Sequence, residues 1–247
     1  MKTFGSVVFA LALSLASSLC LAGERKLEIA TTEYPPYYGK DLENGGFMTE
    51  IVVEVLKRAG YDAEIKFLPW KRALEGTKAG KYDGLYTVWY RKEREEWFVY
   101  SDPIPPVNEI GFYKRKDKDI SFKTNEDLKP YTIGVTRGYA LPPGFDQASL
   151  KISRVKDDEV SLRKLHKGRV DMVLTDKILG KFIIDTKIPE AVPGLVWLDP
   201  PVLVKFQHLV FSKKVGDFAM KLADFNRGLA EIEADGTLNA IIARHGF

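Results

Sequence analysis

Between residues 82 and 104 the chain reads YDGLYTVWYRKEREEWFVYSDPI, an apolar run that breaks into a knot of charge and turns apolar again. A guanidinium in such a knot is either solvated, as charge runs usually are, or offers paired N–H donors to a carboxylate. Nucleophilic or metal chemistry finds less support. Cys20 is the single cysteine, and His166, His208 and His245 are scattered rather than spaced as ligands. No metal and no cofactor is therefore expected.

The totals bound the function classes. The N-terminus, MKTFGSVVFALALSLASSLCLAG, has one lysine, an apolar run and small residues at Cys20 and Ala22, the layout of a signal peptide over residues 1–22. Periplasmic export through that cleavable leader is the expectation. A lipid anchor on Cys20 is the rival, opposed by Leu19, which stands where a small residue would precede a lipidated cysteine. Cleavage would leave about 225 residues without cysteine, 45% of the whole chain being hydrophobic, enough for one large or two small cores. The 37 basic and 34 acidic residues are interspersed, which argues against nucleic acid as a partner. No later apolar run is long enough to span a bilayer.

The elements that would position any site alternate. LEIATTEY (27–34) reads as a strand, and Phe47, Ile51, Val52, Val55, Leu56 and Ala59 recur at helical spacing up to Gly60. AEIKFLP is a second strand, WKRALEGTKAG a short helix, and YDGLYTVWY a third strand, so the first unit is βαβαβ. A second series repeats it: EIGFYK, a short capped helix at NEDLKP, YTIGV, the helix DDEVSLRKLHKG, VDMVLT and the helix DKILGKFIID. HLVFSK and two helices, FAMKLADFNRGLAEIEADG and TLNAIIARHGF, close the chain. Extended crossings near Pro105 to Val107 and near Lys205 divide it into residues 23–106 plus 206–247 and residues 107–205. Two such lobes leave a cleft at the carboxyl ends of their strands.

ATTEYPPYYG, GGFMTEIVVEVLKRAG, GKYDGLYTV, REEWFVYSDPI, DLKPYTIGVTRGY, GRVDMVLTD and FNRGLAEIEADGTLNAI follow one another in the order of the signatures of the bacterial extracellular solute-binding proteins of family 3, which the chain resembles over nearly all its length after the leader. The resemblance implies an α/β, two-lobed periplasmic binding protein fold (type II), with the ligand cleft between the lobes. It implies a monomer that captures a small polar solute, an amino acid or related carboxylate, and presents it to the membrane permease of an ABC transporter. By the same resemblance Arg94, ahead of Ser101 and Asp102, grips the α-carboxylate, and Asp176 accepts from the α-ammonium. Asp176 also suits the N-cap of the helix it precedes. Trp70 and Tyr34 would form aromatic walls, and Glu33 faces either cleft or solvent.

The chain departs from the amino-acid-binding pattern at the strand end after LYT. Thr87 keeps a hydroxyl, but Val88, Trp89 and Tyr90 stand where small hydroxyl residues are usual. Tyr139 follows Gly138, and Arg137 and Arg72 add cations. These changes imply a narrower, more cationic pocket and leave room for an acidic or modified solute. A sensory ligand-binding protein of the same fold, or a dehydratase-like enzyme on it, are the alternatives. No triad, cysteine or metal motif supports catalysis, and the only acid pair near the site is Glu33 with Asp176.

Overall fold

The computed structural model of the protein describes residues 25–137, 141–145 and 147–247, so the expected leader and Tyr139 lie outside the described residues. Strand β1 (Arg25–Thr31) runs along the first lobe, followed by α1 (Phe47–Arg58), β2 (Tyr61–Phe67), α2 (Trp70–Lys78) and β3 (Gly84–Trp89). A 3-10 turn at Lys92–Glu96 leads to β4 (Phe98–Tyr100) and β5 (Ile104–Arg115). The second lobe adds β6 (Thr132–Thr136), β7 (Lys151–Val155), α3 (Asp158–His166), β8 (Met172–Asp176) and α4 (Lys177–Lys187). β9 (Leu195–Ser212) returns to the first lobe, where α5 (Phe218–Ala234) and α6 (Thr237–Arg244) pack.

The helices form where apolar spacing and end charges agree. α1 buries Phe47, Met48, Ile51, Val52, Val55 and Leu56 on one face, with Glu50 in its first turn and Lys57 and Arg58 in its last, the order its dipole favours. Gly46 starts it at φ 90, and a Cβ there would lie 2.6 Å from the Tyr37 carbonyl oxygen. Only glycine fits that approach. Met48 N–H then donates to the Tyr37 carbonyl at 2.9 Å, so the helix start fixes the chain at Tyr37.

One sheet runs through both lobes in the order β2-β1-β3-β9-β5-β8-β6-β7, with β4 added on β9. The expected parallel units are present: β1 pairs in parallel with β2 and β3, and β6 with β7 and β8. The crossings near residues 105–107 and at Lys205 are strands rather than irregular links, for β5 and β9 pair antiparallel with Asn108 opposite Lys205 and Glu109 opposite Val204. Register shifts between Ile104 and Asn108 and between Ile110 and Phe112 mark where this ribbon bends.

Three strands are additions to the sequence reading: β4, β7 and the first half of β9. β4 is three residues long, and β9 carries Pro200 and Pro201, which demote a strand on sequence grounds. The expected strand 27–34 stops at Thr31, because residues 34–38 fold into a turn closed by a Tyr34–Tyr38 bridge.

The core is divided. Two apolar clusters draw their buried members from residues 27–104 and 209–241, and two from residues 112–195. Tyr34 packs against a cluster of each lobe, and Ile178, in the first turn of α4, packs on the first-lobe cluster. The lobes thus meet through side chains at the carboxyl ends of their strands. Among the described residues no helix is long and apolar enough to cross a membrane.

Candidate functional site

β3 ends in an unusual backbone. Its pairing with β9 slips between Leu85 and Val88, and Thr87 within the slip adopts φ 63. Left-handed φ is costly for a β-branched residue, about 1–3 kcal/mol, and such strain clusters where a site needs a particular side-chain direction. The Thr87 hydroxyl donates to the Tyr86 carbonyl at 2.7 Å, and the residue is buried. Past the slip, Val88 is buried while Trp89 and Tyr90 emerge.

The 3-10 turn that follows settles how the charge knot is disposed. Arg94 is half-buried, whereas Arg91, Lys92, Glu93, Glu95 and Glu96 are exposed. Its Nη1–H donates to the Trp89 carbonyl at 3.2 Å, and the guanidinium lies 5.7 Å from the Trp70 ring centroid. Trp70 opens α2 after Pro69 and is half-buried on the core beneath it. Arg94 is therefore held by the Trp89 carbonyl, the Trp70 ring face and the Tyr100 hydroxyl, and a guanidinium with five N–H donors keeps others for a ligand. The Tyr90 ring lies 5.2 Å from that of Tyr100, tilted at 60°, and its hydroxyl donates to Glu95 at 2.8 Å.

β8 ends in the opposite way. Asp176, its last residue, is 1% exposed and caps α4 by accepting from Leu179 N–H at 2.9 Å. The Tyr37 hydroxyl reaches across from the first lobe to Oδ1 at 2.8 Å and Oδ2 at 2.9 Å, and Asn108 Nδ2 donates to Oδ2 at 3.1 Å. Burial raises the Asp176 carboxyl above its ordinary range, against the lowering pull of these donors. Burial first, and then the neighbouring Asp176 charge, pushes the Tyr37 hydroxyl far above the ordinary phenol value, so Tyr37 stays protonated and donates.

Asn108 links the two strand ends. The Trp89 indole N–H donates to its Oδ1 at 3.0 Å. An indole can only donate, so the amide oxygen must face Trp89 and the amide N–H groups must face Asp176. Asn108 is 3% exposed and lies in β5, in the ribbon that joins the lobes. A continuous polar path thus runs from Arg94 through Trp89 and Asn108 to Asp176 and Tyr37.

The remaining residues singled out in the sequence are placed as follows. Tyr34 is half-buried and stacks 5.6 Å from Tyr37. Glu33 is exposed, 3.8 Å from Lys40, on the solvent side of its two expected orientations. Arg72 is exposed in the first turn of α2, and Arg137 is exposed just past the end of β6. The structure brings Arg94, Trp70, Thr87 and Tyr90 together at one strand end and Asp176 and Tyr34 at the other. Tyr37 and Asn108 were not among the expected residues. An asparagine inside the apolar run IPPVNEI was a readable signal, since Asn is depleted in strands. Surface cavities of about 450 Å³, lined by residues including Arg115 and His166, and about 310 Å³, lined by residues including Asp62 and Asp83, contain none of these side chains. These side chains gather at the strand ends, away from both cavities.

Comparison with known proteins agrees with this architecture. The family model of the bacterial extracellular solute-binding proteins, family 3, matches residues 27–247. The L-cystine-binding protein TcyA of Bacillus subtilis is 25% identical over 210 residues, 83% of this chain and 74% of that protein. The arginine-binding extracellular protein ArtP of the same organism is 24% identical over 231 residues, 89% of this chain and 86% of its own. The L-cystine solute receptor of Neisseria gonorrhoeae, in its unliganded open conformation, superimposes with a TM-score of 0.71 at 22% identity, covering 89% of this chain and 91% of that one.

Proposed function

The chain belongs to the bacterial extracellular solute-binding proteins, family 3, and from that premise we propose that it is an exported receptor which captures a small carboxylate-bearing solute between its lobes. It would then deliver that solute to the membrane permease of an ABC-type importer. No catalytic step is part of this reading. The relatives whose names state a ligand include binding proteins for cystine and arginine, which supports the amino acid or a close carboxylate as the class.

The observation that carries the reading is the setting of Arg94. It is the half-buried member of an otherwise exposed charge run, held at the carboxyl end of β3 with donors to spare. A guanidinium so placed matches a carboxylate in two N–H bonds. Trp70, Tyr34, Thr87 and Tyr90 form the walls, and Arg72 and Arg137 add positive charge at the rim. We place the lobe boundaries at 106/107 and 205/206, within the β5–β9 ribbon, where bending would open and close the cleft.

The test is a thermal-shift screen of the exported protein against amino acids, their deaminated counterparts, amines and short peptides. A true ligand at a hundred times its Kd stabilises the protein by about 2.7 kcal/mol. Stabilisation by carboxylates supports the reading. Stabilisation only by amines, or by nothing in the screen, overturns it.

A further inference from the structure

We propose that Tyr37 is a specificity-determining residue that holds the acceptor capacity of Asp176 and selects carboxylates lacking an α-ammonium over the corresponding α-amino acids. The inference rests on the reading of the cleft as a carboxylate-binding site and names the solute class within it.

The argument begins with a count of lone pairs. A carboxylate accepts about four hydrogen bonds. Asp176 has three such donors: the single Tyr37 proton within reach of both oxygens, Leu179 N–H on Oδ1 and Asn108 N–H on Oδ2. With these donors in place and the lobes together, the carboxylate is 1% exposed and offers a ligand little open acceptor capacity. An ammonium could reach it only by displacing one of these donors.

Two of the donors stay with Asp176 at all times, and Tyr37, on the opposite lobe, is held so that it returns to Asp176 whenever the lobes close. Leu179 N–H belongs to the first turn of α4, and its bond to Asp176 is the helix cap. Asn108 is held from behind by the Trp89 indole. Tyr37 is 0% exposed, with its ring 5.1 Å from Phe47 and 5.6 Å from Tyr34. Its carbonyl is tied to α1 by Met48 N–H and crowded by Gly46, so the backbone cannot swing the hydroxyl aside. A protonated amine entering the closed site would find its acceptor occupied and lose its water without replacement, a repulsive element of the kind that creates selectivity.

The charges at the strand ends point the same way. Arg94 is half-buried at the end of β3, and Arg72 and Arg137 are exposed beside the ends of β2 and β6. Glu33 is 3.8 Å from Lys40 and faces water. Arg94, Arg72 and Arg137, with the rings of Trp70 and Tyr90, thus stand at these strand ends, a setting that suits an anion.

The experiment titrates the protein calorimetrically with matched pairs that differ only in the α-amino group: L-glutamate and glutarate, L-glutamine and glutaramate, L-histidine and imidazolepropionate, L-arginine and guanidinovalerate. The deaminated member of the bound pair should be preferred by about tenfold or more, the size of effect an unpaired buried charge produces. Tyr37→Phe, checked for folding by its thermal transition, should shrink or reverse that preference by freeing an acceptor. Because the wild-type comparison can overturn the proposal without the variant, a misfolded Tyr37→Phe still leaves it falsifiable. A wild-type preference for the α-amino acid overturns the role of Tyr37 and leaves the carboxylate reading standing. Binding of neither member of any pair overturns both.

Discussion

β3 and β8 are both short, buried strands that end at the cleft, yet β3 ends in reachable groups and β8 in a sealed one. At β3 the backbone slips at Thr87, Trp89 is 38% exposed, and Arg94 meets the Trp89 carbonyl and the Tyr100 hydroxyl with donors to spare. At β8 the charged group is Asp176, with neighbouring donors filling its acceptor sites. The difference teaches that opposite charges on facing lobes need not both address the solute. A charge with spare donors is available for binding, whereas one whose partners are all internal holds the structure in register.

The comparison breaks most sharply at Arg94. If its spare donors hold a carboxylate, Arg94→Ala leaves a desolvated anion unpaired and costs about 2–5 kcal/mol of affinity. Arg94→Lys restores only part, because an ammonium lacks the planar pair of donors. Arg91→Ala, on an exposed neighbour, changes affinity by less than about 0.5 kcal/mol. Calorimetry with the solute found by screening reads all three, and equal affinity for wild type and Arg94→Ala would return the arginine to the solvated knot.

At the sealed end the expected loss is in stability. Asp176→Ala removes the cap of α4 and leaves Tyr37 O–H and Asn108 N–H buried without an acceptor, at a cost of about 2–4 kcal/mol. Urea unfolding measures it, and a loss under about 0.5 kcal/mol would mean the network carries little. The pH dependence sharpens the point. Burial raises the folded carboxyl above the 3.8 of an exposed aspartate, so between those two values the native state binds more protons than the unfolded chain. The stability from that proton is full below about 3.9 and is lost as pH rises through the folded value. Asp235 runs the other way. Its bond from Arg58 holds the carboxyl down to about 2, so its contribution is present above about 3.9 and lost as pH falls toward 2. Wild type should therefore lose stability relative to Asp176→Asn as pH rises from about 4, until the carboxyl is fully ionised. A difference that grows with pH in wild type's favour would contradict the raised carboxyl.

Much of this was legible in the sequence, and what was not has identifiable causes. α1 and the repeated β–α alternation followed from apolar spacing and from Gly60 and Gly80. The β5–β9 ribbon did not, because Pro105, Pro106, Pro200 and Pro201 mark a stretch as loop when only local preference is weighed; pairing between distant strands outweighed it. Arg94 and Asp176 were singled out through the resemblance to the family, for charge alone left Arg94 one arginine in a run that usually faces water. Tyr37 did not, since a tyrosine in EYPPYY is as well explained by lobe packing, and its partner is 139 residues away. Charge leaves a mark in a sequence, but the saturation of a charge by a distant hydroxyl does not.

The smallest expected effect tests the link between the two ends. Trp89→Phe keeps a ring at the cleft but removes the indole donor to Asn108 Oδ1. A fully buried acceptor so orphaned would cost up to about 3 kcal/mol. Trp89 is 38% exposed, however, so water can follow the smaller ring in, and the net loss should fall to about 0.5–1.5 kcal/mol. Asn108 would also become free to turn its amide, weakening its hold on Asp176. The double variant with Asn108→Ala should consequently be less destabilised than the sum of its parts, by about 0.5 kcal/mol or more, because both changes remove the same bond. Strict additivity in urea unfolding would show that the reachable and sealed ends are independent structures.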